Sequence, residues 1–96
     1  MLIARVVGSA VSSAKDDRLT GGKLLLVRPA SPSDEVDGDT FVAVDTVGAG
    51  TGELVLVVRG SAARFTARTE GTPTDAAIVG VIDSLEFDGE VTYRKA

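Results

Sequence analysis

The chain has 96 residues, 44% of them hydrophobic and 25% charged, which suits one folded domain over residues 1–96 and is too apolar for a disordered polypeptide. Its net charge is −4 and its longest basic stretch is Arg94-Lys95, so it lacks the clustered cations that nucleic-acid binding needs. It contains neither Cys nor His, which removes a disulfide framework, a thiol nucleophile, the usual general base and the commonest transition-metal ligand. With only four aromatics (Phe41, Phe65, Phe87, Tyr93) the core must be built from Val, Leu, Ile and Ala. A domain this small buries a modest share of its surface and commonly gains stability by associating, so an oligomer is expected. No basic n-region precedes the apolar Leu2–Val11 stretch, and no apolar run approaches the ~20 residues of a membrane helix. The expected location is therefore cytosolic.

Leu2 to Ala14 alternates small and β-branched residues over two faces and predicts a long strand, with Gly8 at a bulge or bend. Lys15-Asp16-Asp17-Arg18 reads as a solvated turn. Lys23–Arg28 is a short leucine-rich strand stopped by Pro29. Ala30–Thr40, with Pro32, Gly38 and four carboxylates, reads as a surface loop tolerant of length change. Phe41–Asp45 predicts a third strand. The five apolar residues Leu54–Val58 predict a fourth, buried on both faces. Ser61–Arg68 carries the only helix-forming density, about two turns, with Ser61 as its cap. Thr74-Asp75 opens a single turn before a fifth strand, Ala76–Asp83, kinked at Gly80 and continued by Leu85 and Phe87. Asp88-Gly89 marks a hairpin, and Glu90–Lys95 returns as a sixth strand. The chain thus reads as mainly β: a small OB-like β-barrel of five or six strands with one short helix.

Two glycine-rich corners flank the fourth strand: Gly48-Ala49-Gly50-Thr51-Gly52 and Gly60-Ser61. Such corners mark tight turns, or places where another chain or a ligand comes near. A dinucleotide fingerprint fails here because Glu53 stands where the third glycine belongs and a strand follows instead of a helix. A nucleotide P-loop fails at Gly22-Lys23, which is followed by Leu24 and preceded by Asp17 where the first glycine belongs. A calcium loop around Asp37-Gly38-Asp39 would end on Val44, which has no side-chain oxygen to give. Asp45, Glu53, Asp75 and Asp83 show no spacing that favours acid–base work and read as turn caps or holders of an interface arginine. Ser61 has no base partner. No catalytic residue, cofactor or metal site is expected, and the corners read as an assembly seam. Arg59 and Arg64 bracket the second corner as solvated residues; alternatively, Arg64 pairs with a carboxylate of a neighbouring chain, since arginine forks suit interfaces.

In order, the motifs resemble the bacterial microcompartment vertex family, the pentameric shell proteins of the CcmL/EutN type. The matching pieces are Lys15 with Leu19-Thr20-Gly21-Gly22-Lys23-Leu24-Leu25-Leu26-Val27, then Val44-Asp45-Thr46-Val47-Gly48-Ala49-Gly50 and Gly52-Glu53-Leu54-Val55-Leu56-Val57. They continue with Gly60-Ser61-Ala62-Ala63-Arg64 and Asp75-Ala76-Ala77-Ile78-Val79-Gly80-Val81-Ile82-Asp83. The acidic loop Asp34–Asp39, Phe65–Thr72 and the last dozen residues match least.

The resemblance implies a homopentamer of OB-like barrels that caps the vertices of a polyhedral shell in the bacterial cytoplasm, beside hexameric shell proteins. It implies no enzyme activity, no nucleic acid and no membrane. It places Gly48, Ala49, Gly50, Gly52 and Glu53, with Gly60, Ser61, Ala62, Ala63 and Arg64, near subunit contacts or the ring axis. Ser61 and Ala62 would line a narrow central pore. The alternative is an OB-fold binding module for single-stranded nucleic acid or a small ligand, which normally takes a basic groove with stacking aromatics. A small hydrolase would need a base that the chain does not visibly possess.

Overall fold

A computed structural model describes residues 1–13, 15–19, 22–66, 69–71 and 73–96. Among the described residues there are seven strands: β1 (Leu2–Ala10), β2 (Lys23–Pro29), β3 (Phe41–Asp45), β4 (Leu54–Arg59), β5 (Ala76–Val81), β6 (Ser84–Phe87) and β7 (Glu90–Arg94). The first five close into a barrel in the order β1-β2-β3-β5-β4, with β1 pairing back to β4; β6 and β7 form a separate two-stranded sheet. All barrel pairs are antiparallel except β3 with β5. This is the five-stranded closed arrangement expected of an OB-type barrel.

Period-two alternation decides which side chains fill the interior. Ala4 and Val6, Leu25 and Val27, Ala43, Val55 and Val57, and Ala76 and Ile78 point inward and are buried, with Ala49 packed into the same cluster. Alanines at four of these positions suit a barrel too narrow for large residues on every strand. Two bulges bend the wall. The β1–β2 register slips between Val6 and Gly8, and the β4–β5 register slips between Leu56 and Val57. At each slip a glycine lies under a leucine of the next strand: a Cβ built on Gly8 would sit 3.4 Å from Leu26 Cδ1, and one on Gly80 the same distance from Leu56 Cδ1. Leu26 and Leu56 consequently lie half-buried on the outer wall, so β4 is fully buried at Val55 and Val57 on its inner face but on the outer face only at Leu54.

Other differences from the sequence reading have local causes. The Ser61–Arg68 helix is instead a 3-10 turn, Gly60–Arg64, with residues 67 and 68 outside the described set. Its cap position is Arg59, without a side-chain cap bond, because Gly60 already starts the turn at φ +65°. The turn packs against β4 and β5, with Ala63 buried beneath it. A second short 3-10 helix, Asp17–Leu19, occupies the predicted solvated turn. Thr20 and Gly21 of the matching motif lie outside the described residues. Thr74 opens no helical turn; its hydroxyl donates to the Ala76 carbonyl at 2.9 Å.

The acidic loop is tied down. Ala30 bridges Val36, the Asp37 N–H donates to Pro29, and Asp34 (φ +64°) turns back to pair with Arg5. The fifth strand ends at Val81 and β6 starts anew at Ser84. The Asp88-Gly89 turn takes positive φ at both residues, as its sequence requires.

Candidate functional site

The first glycine corner is organised from within by two carboxylates. Asp45, at the end of β3, accepts the N–H groups of Val47 and Gly48 at 3.1 Å and of Ala49 at 2.9 Å. Glu53 accepts the Gly50 N–H at 2.6 Å while its own N–H donates to the Gly50 carbonyl at 3.1 Å. Gly48 and Gly52 take φ +78° and +91°, conformations that cost other L-residues energy. The Gly52 N–H donates to Val6, and Thr46 donates from its hydroxyl to Ile78, so the corner is stitched to β1 and β5.

Successive N–H groups of this kind make an anion cradle. Here the cradle already holds the chain's own carboxylates, which is the physical reason the run resembles a phosphate loop without being one. The Gly50 N–H, joined by the Lys95 ammonium at 3.1 Å from Glu53, holds the Glu53 carboxyl below its usual 4.5; the carboxylate in turn raises Lys95.

The second corner faces outward. Ser61, Ala62 and Arg64 are exposed, Ala63 is fully buried, and the following Phe65 is 83% exposed. Arg64 donates to the Thr74 carbonyl at 3.3 Å, while Arg59 stacks over the Phe41 ring at 4.3 Å. Behind the turn, the buried Thr69 hydroxyl donates to the Ala63 carbonyl at 2.6 Å.

The ten residues singled out from the sequence therefore fall into three groups. Gly48, Gly52, Gly60, Ser61, Ala62 and Arg64 lie at the surface, Gly50 and Glu53 are half-buried, and Ala49 and Ala63 have their side chains inside this protomer. Asp45 and Glu53 do cap turns.

Sequence reasoning missed the outward position of Phe65, since a scarce aromatic is most simply assigned to a core. It also missed Arg5. This residue donates to the Gly52 carbonyl at 2.6 Å, pairs with Asp34 and lies 5.9 Å from the Tyr93 ring centroid. Its one sequence signal is a lone charge inside an apolar strand. Among the described residues no three acidic side chains converge to hold a metal ion, and no helix is long and apolar enough to cross a membrane.

Comparison with known proteins gives a consistent result. The family model for the ethanolamine utilisation protein EutN/carboxysome group matches residues 1–83. The carboxysome shell vertex protein CcmL of Thermosynechococcus vestitus is 46% identical over 95 residues, covering 99% of this chain and 96% of that protein. The crystal structure of the ethanolamine utilization protein EutN from Escherichia coli aligns with a TM-score of 0.88 at 38% identity, covering 100% of both chains. The GrpN pentameric microcompartment shell protein from Rhodospirillum rubrum aligns with a TM-score of 0.81 at 44% identity, over 91% of this chain and 99% of that one. With the same closed barrel and a likeness that runs almost end to end, the chain belongs to the EutN/CcmL family.

Proposed function

We propose that this protein is a structural vertex component of a bacterial microcompartment shell in the cytoplasm. Residues 1–96 act as one vertex domain, and five copies assemble into a ring. The observation that carries this reading is the near-complete likeness, at 38–46% identity, to proteins named for shell vertices and to a pentameric shell protein. Geometry gives the ring its purpose. A flat layer of hexagonal tiles cannot close, and five-fold points introduce the curvature. The neighbours in the shell are hexameric tile proteins.

The surface is consistent with such a part. Val7, Val42, Val47 and Phe65 are large apolar side chains exposed on the lone protomer, and association removes such area from water. In a ring the contact is heterologous, one face meeting a different face of the next copy. The outward residues of the two corners, Gly48, Gly52, Gly60, Ser61, Ala62 and Arg64, lie at these contacts or near the axis, with Gly50 and Glu53 shaping the first corner. Ala49 and Ala63 support them from inside. A single-stranded nucleic-acid site gains no support, because Phe41 is covered by Arg59 and the net charge is −4.

Native mass spectrometry of the purified protein is the test. The expected species is five chains; a lone monomer at high concentration sinks the reading.

A further inference from the structure

The barrel wall ends at β5, and the chain then leaves it. The β6–β7 sheet joins no barrel strand, and the molecule measures 45 Å along one axis and 23 Å along the other two. An isolated two-stranded hairpin is marginal in water at best. This one is anchored near its base. The Lys95 N–H donates to Asp83 at 2.8 Å, and the Lys95 ammonium pairs with Glu53. The Thr92 hydroxyl donates to the Pro32 carbonyl at 2.5 Å, and Tyr93 lies beside the Arg5 guanidinium. None of these ties reaches residues 86–91. At that end Phe87 is 45% exposed and Val91 51% exposed. Asp88 follows Phe87, and Glu90 pairs with it across the strands. The hairpin also lies beyond residues 1–83, the part the family model matches.

The complementary shape is on the same chain. Where β1 ends and β2 begins, a groove of about 300 Å³ has apolar walls from Ala10, Val11 and Leu24, with Lys15 and Lys23 beside them. Lys15 donates to the Ser12 carbonyl at 3.0 Å and Lys23 to the Ala49 carbonyl at 3.2 Å; among the described residues neither forms an ion pair. An aromatic flanked by carboxylates therefore matches an apolar groove flanked by ammonium groups. Knob and hole sit at different places on one molecule, which is what a head-to-tail ring contact requires.

We infer that the β6–β7 hairpin is a clasp between neighbouring copies: Phe87 seats in the Ala10–Val11–Leu24 groove of the next protomer, and Asp88 and Glu90 face its Lys15 and Lys23. The clasp rests on the ring reading above and adds the segment that holds the ring together. A buried aromatic filling a pocket is the usual anchor of an interface.

The test uses the full chain. F87S and D88K/E90K are each expected to raise the concentration at which rings half-assemble by about ten-fold or more, read by native mass spectrometry across a dilution series. Their far-ultraviolet spectra should match that of the wild type. Adding K15E/K23E to D88K/E90K reverses both sides of the contact and should restore assembly. Because the chain has no cysteine, F87C/V11C offers a direct readout: oxidation should give a ladder of linked chains on a non-reducing gel.

If wild-type rings form but both tip variants assemble at wild-type concentrations, the clasp is wrong while the ring stands. The clasp fails equally if the charge reversal is not rescued, or if F87C/V11C gives a monomer band alone. A wild type that stays monomeric removes the ring reading and the clasp together.

Discussion

The two glycine-rich corners look alike in sequence and are held in shape by different means. In the first, residues 46–53, the backbone donors are taken inside the protomer: by Asp45 at Val47, Gly48 and Ala49, by Glu53 at Gly50, and by Val6 at Gly52. In the second, Gly60 anchors one end on Asp75, Ala63 points inward, and Ser61, Ala62 and Phe65 stand out from the surface. Glycine by itself does not say whether a turn is folded for its own sake or held out for a partner. A carboxylate within a few residues, placed to accept the turn's N–H groups, shows that the first corner holds its own shape.

The largest expected effect separates the corners by stability. Asp45→Ala leaves three N–H groups without an acceptor, and the Ala49 donor among them is buried. At about 1–3 kcal/mol for each buried unsatisfied group and less where water can reach, the loss should be about 3 kcal/mol. For a chain this short that lowers the melting temperature by on the order of 15 °C. The melt has to be run at fixed protein concentration, because association shifts it. A drop of only a degree or two would mean that the corner does not depend on Asp45.

Phe65→Ser should show the reverse pattern. The side chain is 83% exposed, so the barrel loses almost no packing and its far-ultraviolet spectrum should not change. If the second corner is the contact element, the concentration needed for half-assembly rises by roughly ten-fold in a sedimentation experiment. Unchanged assembly would move the contact away from this corner.

Much of the fold was legible in the sequence because its signals are local. Alternation of small and β-branched residues placed β1, Pro29 ended β2, and Asp88-Gly89 fixed the hairpin turn. Gly8 marked a bulge because a strand glycine is where a neighbour lies close, and Leu26 does. What was not legible depends on contacts distant in sequence. Leu54–Val58 looks doubly buried, yet a register slip against β5 leaves Leu56 on the outer wall over Gly80. Ser61–Arg68 has helical composition, but Ser61–Arg64 have barrel strands to pack against and, with Gly60, tighten into a 3-10 turn. Arg5 reaches Asp34, Gly52 and Tyr93, none a near neighbour in sequence. Of the candidate site, the residue types were readable; the split between inward alanines and outward neighbours required the fold.

The smallest effect contrasts Glu53, inside the first corner, with Asp16, a carboxylate on an open turn. Both are held below their ordinary values. The Gly50 N–H is the first cause for Glu53 and Lys95 the second. The Arg18 side chain is the first cause for Asp16, which is lowered to about 2. A carboxyl depressed in the folded state stabilises fully above its unfolded value, here 4.5 and 3.8, and that contribution is lost as pH falls through the folded value. Glu53→Gln and Asp16→Asn should therefore each lower the melting temperature at neutral pH, where the contribution is fully present. Each should change it least at the acid end, flattening the acid limb of a plot of melting temperature against pH. Salt tells the two apart. The Asp16–Arg18 pair is exposed, so about 0.5 M salt should screen most of its part. The Glu53 contribution rests first on a fixed backbone dipole one hydrogen bond away, so Glu53→Gln should still flatten the limb in that salt. Equal loss of both effects would show that Lys95, rather than the turn, holds the Glu53 carboxylate.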